Sequence, residues 1–206
     1  LTDGKQYRIP FSFTPDGKRL AFIESSSETR WDIWTLPLED GDSDDPKPGQ
    51  PELFLRTRFA EYAPAFSPDG RWLAYASDES GTSEVYVRPF PQGGAKWQVS
   101  RGGGGRAVWS RTRPELFFLA ANGRNIMVAP YAVKGESFIP QTPRLWSEKR
   151  LIPVRVGWNF DLAPDGNRMV VLMPPPGEEQ DKPQTRLTFL LNFFDELRRR
   201  VPAGGK

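Results

Sequence analysis

The 206-residue chain contains no histidine, no cysteine and only three methionines. Without histidine it cannot itself run a Ser-His-Asp or Cys-His relay. Without either residue it lacks the usual ligands of zinc, copper, haem iron and iron–sulfur clusters. The absence of cysteine is compatible with either redox compartment. An excess of one charge is also missing: 28 basic side chains against 26 acidic ones leave a net charge of +2. No basic run is interleaved with stacking aromatics, so nucleic acid is not an expected partner. Long apolar runs are absent too. The longest, residues 187–194, is interrupted by Thr188 and Asn192 and falls far short of the roughly 20 residues of a membrane span. With no initiating Met and no charged-then-apolar leader, the chain reads as processed or excised, any targeting segment lying outside it.

What the chain has in quantity is turn formers, 19 Gly and 21 Pro, and they recur in a pattern. Phe13-Thr-Pro-Asp-Gly-Lys-Arg-Leu-Ala-Phe22 returns as Phe66-Ser-Pro-Asp-Gly-Arg-Trp-Leu-Ala-Tyr75 and as Leu162-Ala-Pro-Asp-Gly-Asn-Arg-Met-Val-Val171. Trp109-Ser-Arg-Thr-Arg-Pro-Glu-Leu-Phe-Phe118 is a variant without Asp-Gly. Pro15, Pro68 and Pro164 preset φ at the second position of a turn, and the Asp-Gly pairs tolerate the left-handed conformation that follows, so each predicts a hairpin. The apolar runs 20–23, 73–76, 116–119 and 169–172 predict second strands buried on both faces. Residues 32–36, 84–88, 125–129 and 187–191 predict third strands. Residues 52–55, 96–100 and 144–147 predict weaker, polar fourth strands. The fourth unit shows none, and Arg30-Trp31 and residues 174–184 read as loop insertions.

Units of four short antiparallel strands, 40 to 50 residues long, predict an all-β fold, a β-propeller of about four four-stranded antiparallel blades. The blades are expected at about 7–55, 60–100, 105–150 and 157–194, with a tail at 195–206. Leu1-Thr2 is too short for a closing strand and Leu1-Thr2-Asp3-Gly4 resembles the end of a fourth strand. The expectation is therefore part of a larger, six- to eight-bladed propeller, with blades upstream or self-association covering the open edges. Beyond residue 194 a helical turn is expected. The i, i+3, i+4 spacing of Leu190, Phe193, Phe194, Leu197 and Val201 also admits a partner or membrane-surface helix.

The Phe-Ser-Pro-Asp-Gly-Arg-x-Leu-Ala-Tyr unit followed by a Glu-Val-Tyr-Val-Arg strand resembles the WD40-like (PD40) repeat of TolB-type propellers. The Tyr86–Pro91 segment and the ending over residues 191–202 resemble the C-terminal propeller of bacterial membrane-anchored serine/threonine protein kinases. These resemblances imply a non-catalytic ligand- or protein-binding module in an extracytoplasmic, periplasmic or cell-surface, setting. They imply either the sensor or scaffold region of a kinase-like receptor or a TolB-like envelope scaffold. A propeller hydrolase is the enzyme alternative.

No catalytic residues, cofactor or metal are expected. There is no His-Arg-Asp loop, no Gly-x-Ser-x-Gly, and no carboxylate pair that stands out for glycoside hydrolysis. Gly102 to Gly105 lies between strands and reads as an inter-blade link rather than a phosphate cradle. Asp40, Asp42 and Asp44 have the 1-3-5 spacing of a calcium loop, but Asp45 and Pro51 stand where Gly and Glu belong. In this topology the inter-blade links and the second-to-third strand loops emerge on one face, where Arg8, Arg56, Arg58, Arg101, Arg106 and Arg155 join Tyr7, Tyr62 and Trp158. The opposite face carries the acidic residues 39–45. Arg8, Arg58, Tyr62, Arg106, Arg155 and Trp158 are thus the expected site for a protein or a small polar or anionic ligand. Solvated arginines paired with Glu24, Glu61, Asp78 and Glu79 are the structural alternative.

Overall fold

A computed structural model describes residues 6–39, 47–91, 94–154 and 158–175, and every one of them except Pro175 lies in one compact unit, Leu1–Pro174. The first sheet runs β1 (Arg8–Phe13), β2 (Arg19–Ser26), β3 (Arg30–Glu39). β4 (Lys47–Pro48) pairs with the end of β3, and β5 (Glu52–Leu55) lies beside it as the outer strand. The second is β6 (Glu61–Phe66), β7 (Trp72–Ser77), β8 (Glu84–Pro89), β9 (Trp97–Gln98) in that order. The third follows with β10 (Gly104–Trp109), β11 (Glu115–Ala120), β12 (Ile126–Lys134), β13 (Ser137–Pro140) and β14 (Arg144–Leu145), the last on the edge of β12. β15 (Phe160–Leu162) and β16 (Met169–Val171) form a fourth hairpin. All pairings are antiparallel, and no helix occurs among the described residues.

The turns fold for the reason their composition gives. Gly17, Gly70 and Gly166 adopt φ of 70°, 70° and 68°. Their amides close the turn on the carbonyls of Thr14, Ser67 and Ala163 at 2.8, 2.9 and 2.9 Å. The preceding aspartates accept from the backbone two residues on, Asp16 from Lys18 at 3.0 Å and Asp165 from Asn167 at 2.9 Å. The recurrent acids are therefore turn locks. Hydrogen bonds hold the Asp16 and Asp165 carboxyls below the usual carboxylate range, Asp16 first through the Thr14 hydroxyl and then the Lys18 amide, Asp165 first through the Asn167 amide and then the Arg168 side chain.

The core lies between successive sheets rather than within any one. Phe66, at the end of β6, packs with Ala21, Ile23 and Ile33 of the first sheet. Trp109, at the end of β10, packs with Trp72, Ala74, Val85 and Val87 of the second. Leu162 packs with Phe117, Leu119 and Val128 of the third. Polar bonds pin the same junctions: the Phe66 amide donates to Ser12 Oγ at 3.1 Å, and Trp109 Nε1 donates to the Ala65 carbonyl at 2.9 Å.

Three expectations need correction. Arg30 and Trp31 open β3 instead of forming a loop. Ser26 Oγ accepts the Glu28 and Thr29 amides at 3.2 Å each, and Arg30 takes φ 74°, so residues 27–29 suffice for the turn. The run 169–172 is not buried on both faces, since Val170 is 72 % exposed. The hairpin of β12 and β13 was not anticipated. Gly135, at φ 61°, turns the chain so that Phe138 is buried among Trp72, Trp97, Trp109 and Tyr131. Residues 1–4, the loop 40–45, the third strand at 187–191 and the stretch 189–201 lie outside the described residues.

Candidate functional site

The first strands of the sheets line a cavity of about 880 Å³, with Phe11, Trp109, Arg111, Trp158 and Phe160 among its walls. Phe11 and Trp158 meet edge to face, ring centroids 6.2 Å apart. Each of β1, β6 and β10 carries a bulge, between Pro10 and Ser12, Tyr62 and Ala65, and Gly105 and Val108. In the second and third sheets the bulge places a non-glycine residue in the left-handed region, Ala63 at φ 52° and Arg106 at φ 53°. Bulges re-aim the side chains beside them.

At the Arg106 bulge the guanidinium lies against protein. Nη2 donates to the Val154 carbonyl at 3.3 Å, and Nη1 is buried with no hydrogen-bond partner among the described residues. Burial pulls its pKa down from the ordinary arginine value, and only Tyr62 opposes that effect. The Tyr62 hydroxyl donates to Ser83 Oγ, which bonds the Gly104 carbonyl at 2.8 Å. Tyr62 and Arg106 thus belong to one site, spanning the second and third sheets.

The other expected site residues part company. Arg8 pairs with Glu24 at 2.5 Å and lies over Phe22 on the first sheet. Arg58 is exposed and rests on its neighbour Phe59, 4.9 Å from the ring centroid. Trp158 lines the cavity, and Arg155 lies outside the described residues. Of the four acids expected to pair with arginines, Glu24 takes Arg8 and Asp78 takes Arg30, whereas Glu79 takes Lys96. Glu61 is instead held by Thr57, whose amide donates at 3.3 Å and whose hydroxyl donates to Oε1. Burial, the largest influence, raises the Glu61 carboxyl to about 7, with Asp32 and Glu79 adding repulsion against the two Thr57 bonds.

Sequence reasoning also passed over the acids that clasp the inter-blade links. Asp32, the third residue of β3, and Glu84, the first of β8, lie near the start of equivalent strands and are almost fully buried. Asp32 holds Arg56 of the first link at 2.7 Å, and Glu84 accepts the Gly102 and Gly103 amides at 3.0 and 2.8 Å. At the next junction Asn159 does this work from the other side, donating to the Gly123 and Ile152 carbonyls at 3.2 and 3.1 Å. The signal was legible as an acid at the start of two aligned third strands. Among the described residues no group of three acidic side chains is placed to hold a metal ion.

No protein-family model matches the chain. The Tol-Pal system protein TolB of Thioalkalivibrio sulfidiphilus (strain HL-EbGR7) is 34 % identical over 70 residues, 34 % of this chain and 15 % of that protein. The solved structure of a TolB from Agrobacterium tumefaciens superposes with a TM-score of 0.50 at 18 % identity, covering 70 % of this chain and 52 % of the other. A puromycin hydrolase superposes at 0.51 with 15 % identity, covering 82 % of this chain and 34 % of the other. The chain therefore spans about half the length of these relatives or less, and the likeness to the solved structures is one of fold. The repeated turns, the inter-sheet packing and these comparisons together give the described residues a β-propeller fold that resembles that of TolB.

Proposed function

We propose that the chain is a recognition module that binds a protein partner at the link-side rim of the propeller, Arg106 taking a carboxylate of that partner and Tyr62 flanking it, with Trp158 of the adjoining cavity as a separate apolar contact. One observation carries the reading: the Arg106 Nη1 group is buried and unpartnered among the described residues. A buried donor left unpaired costs roughly 1–3 kcal/mol. The Arg106 side chain as a whole is only half-buried, so a carboxylate that meets its accessible part and draws Nη1 into a guanidinium fork by a side-chain rotation would recover that cost through charge-assisted bonds. Tyr62 supplies apolar area of the kind that interface anchors use.

The local likeness to a protein of the Tol-Pal system supports an envelope interaction scaffold and, with it, an extracytoplasmic setting. The blade limits of about 7–55, 60–100, 105–150 and 157–194, with a tail at 195–206, are part of this proposal. The finer placement, as the sensor of a kinase-like receptor, rests on Tyr86–Pro91 and on residues 191–202, the latter outside the described residues. A hydrolase reading draws on the puromycin hydrolase fold, but the chain has no histidine and so supplies no Ser-His-Asp relay of its own. The test is binding to an array of peptides that carry an aromatic residue beside Asp or Glu, with amidated and Asn/Gln versions as controls. Selective capture of the carboxylate peptides is expected, and equal capture of the neutral versions would overturn the reading.

A further inference from the structure

The chain builds one kind of blade-to-blade junction three times. The last residue of a first strand packs on the preceding sheet: Phe66 on Ala21 and Ile23, Trp109 on Ala74, Leu162 on Phe117 and Leu119. Phe13 holds that same position in β1, yet it is 55 % exposed, against 7 % for Phe66 and 6 % for Trp109. The receiving side shows the converse. Ala21, Ala74 and Phe117 are fully buried, whereas their counterpart Val170 is 72 % exposed. Ile23 and Leu119 are 3 % and 8 % exposed, whereas their counterpart Leu172 is 48 % exposed. Asp161, exposed on β15, stands where Ser12 accepts the Phe66 amide and where the Ala65 carbonyl accepts Trp109 Nε1.

The inserting half and the receiving half of the repeated junction are therefore both present and both solvent-facing within one chain, so neither covers the other. A second copy offers each half its match. We propose that the propeller self-associates head to tail, Phe13 of one copy inserting against Val170 and Leu172 of the next, beside Asp161. Such a contact is heterologous: the two copies use different faces. It is independent of the carboxylate site at Arg106, which lies at the junction of the second and third sheets.

Light scattering and sedimentation of the full chain across a concentration series test this. The mass is expected to rise from the monomer value of 23.3 kDa to twice that or more. Phe13→Asp and Val170→Asp should each return the monomer mass. An equimolar mixture of the two variants should form a one-to-one dimer, because each retains the face the other has lost. Circular dichroism melts check that both variants fold, and Phe13→Ser and Val170→Thr serve where the aspartates do not. A wild type that stays monomeric at the highest concentration, as cover by residues 176–206 or by another polypeptide would give, overturns the proposal. So does a mixture that remains monomeric.

Discussion

Ala63 and Arg106 stand at the same position of consecutive first strands and share one left-handed backbone conformation, φ 52° and 53°. Neither is a glycine, and such a conformation costs a non-glycine residue of order 1–3 kcal/mol unless its surroundings impose it. Here the bulge and the inter-sheet packing impose it twice. Ala63 is 3 % exposed, so a β-branched side chain would meet both the steric limit of the left-handed region and a filled neighbourhood. Ala63→Val is expected to lower stability by about 2 kcal/mol or more. Ala63→Gly should stay within about 1 kcal/mol of the parent, relief of the backbone offsetting the lost methyl and the added chain entropy. Urea unfolding of the pair measures both, and equal effects would show that the conformation is not under constraint.

Arg106 and Arg58 have opposite expected phenotypes. Arg106→Ala removes an unpartnered buried donor, so stability should hold or rise slightly while binding of the carboxylate peptides falls roughly 10- to 100-fold, the worth of a charge-assisted bond. Arg58→Ala removes an exposed side chain lying on its own neighbour and should leave binding within about twofold. Arg106→Lys keeps the charge without the fork and should fall between wild type and Arg106→Ala. Titration calorimetry at two salt concentrations separates the three variants.

The regular parts of the fold were legible because each is written in a few adjacent residues. Pro-Asp-Gly specifies its turn locally, and a four-residue apolar run such as 73–76 needs no distant partner to be recognised as a buried strand. The site was less legible. The bulges at Ala63 and Arg106 are not announced by glycine, since packing rather than propensity holds the left-handed φ. The arginine-rich face was visible as a sum, but whether an arginine is paired depends on neighbours far apart in the chain: Glu24 takes Arg8 and Asp32 takes Arg56. Phe138 was missed because its burial depends on a hairpin that reaches back over the second sheet.

Glu84 accepts two consecutive link amides and the Ser100 hydroxyl while itself buried. Truncation would leave those donors without partners in a protein environment. Glu84→Ala is expected to cost about 2–4 kcal/mol, seen as a fall in Tm of roughly 2–4 °C per kcal/mol for a chain of this size. Glu84→Gln retains an acceptor oxygen and should cost about half as much or less. Differential scanning calorimetry decides it, and an unchanged Tm in Glu84→Ala would show that the link does not depend on the clasp.

Glu61 gives the fold a pH dependence whose sign follows from its burial. The side chain is 1 % exposed, and desolvation is the largest cause of a carboxyl pKa near 7, against about 4.3 for the unfolded chain. Between those values the folded protein binds a proton that the unfolded chain does not, so this contribution is fully present below about pH 4 and is lost as pH rises through about 7. Asp16, Asp78 and Asp165 are shifted downward; their contribution is lost only as pH falls below the ordinary carboxylate range, outside this window. The wild-type Tm is therefore expected to decline from about pH 5 to about pH 8. Glu61→Gln keeps an oxygen to accept the Thr57 hydroxyl bond but carries no charge to desolvate, so its Tm should be flatter over that range and exceed the wild-type value at the upper end. Thermal melts of the two proteins in matched buffers measure the difference, and parallel curves would mean that Glu61 is not the titrating group.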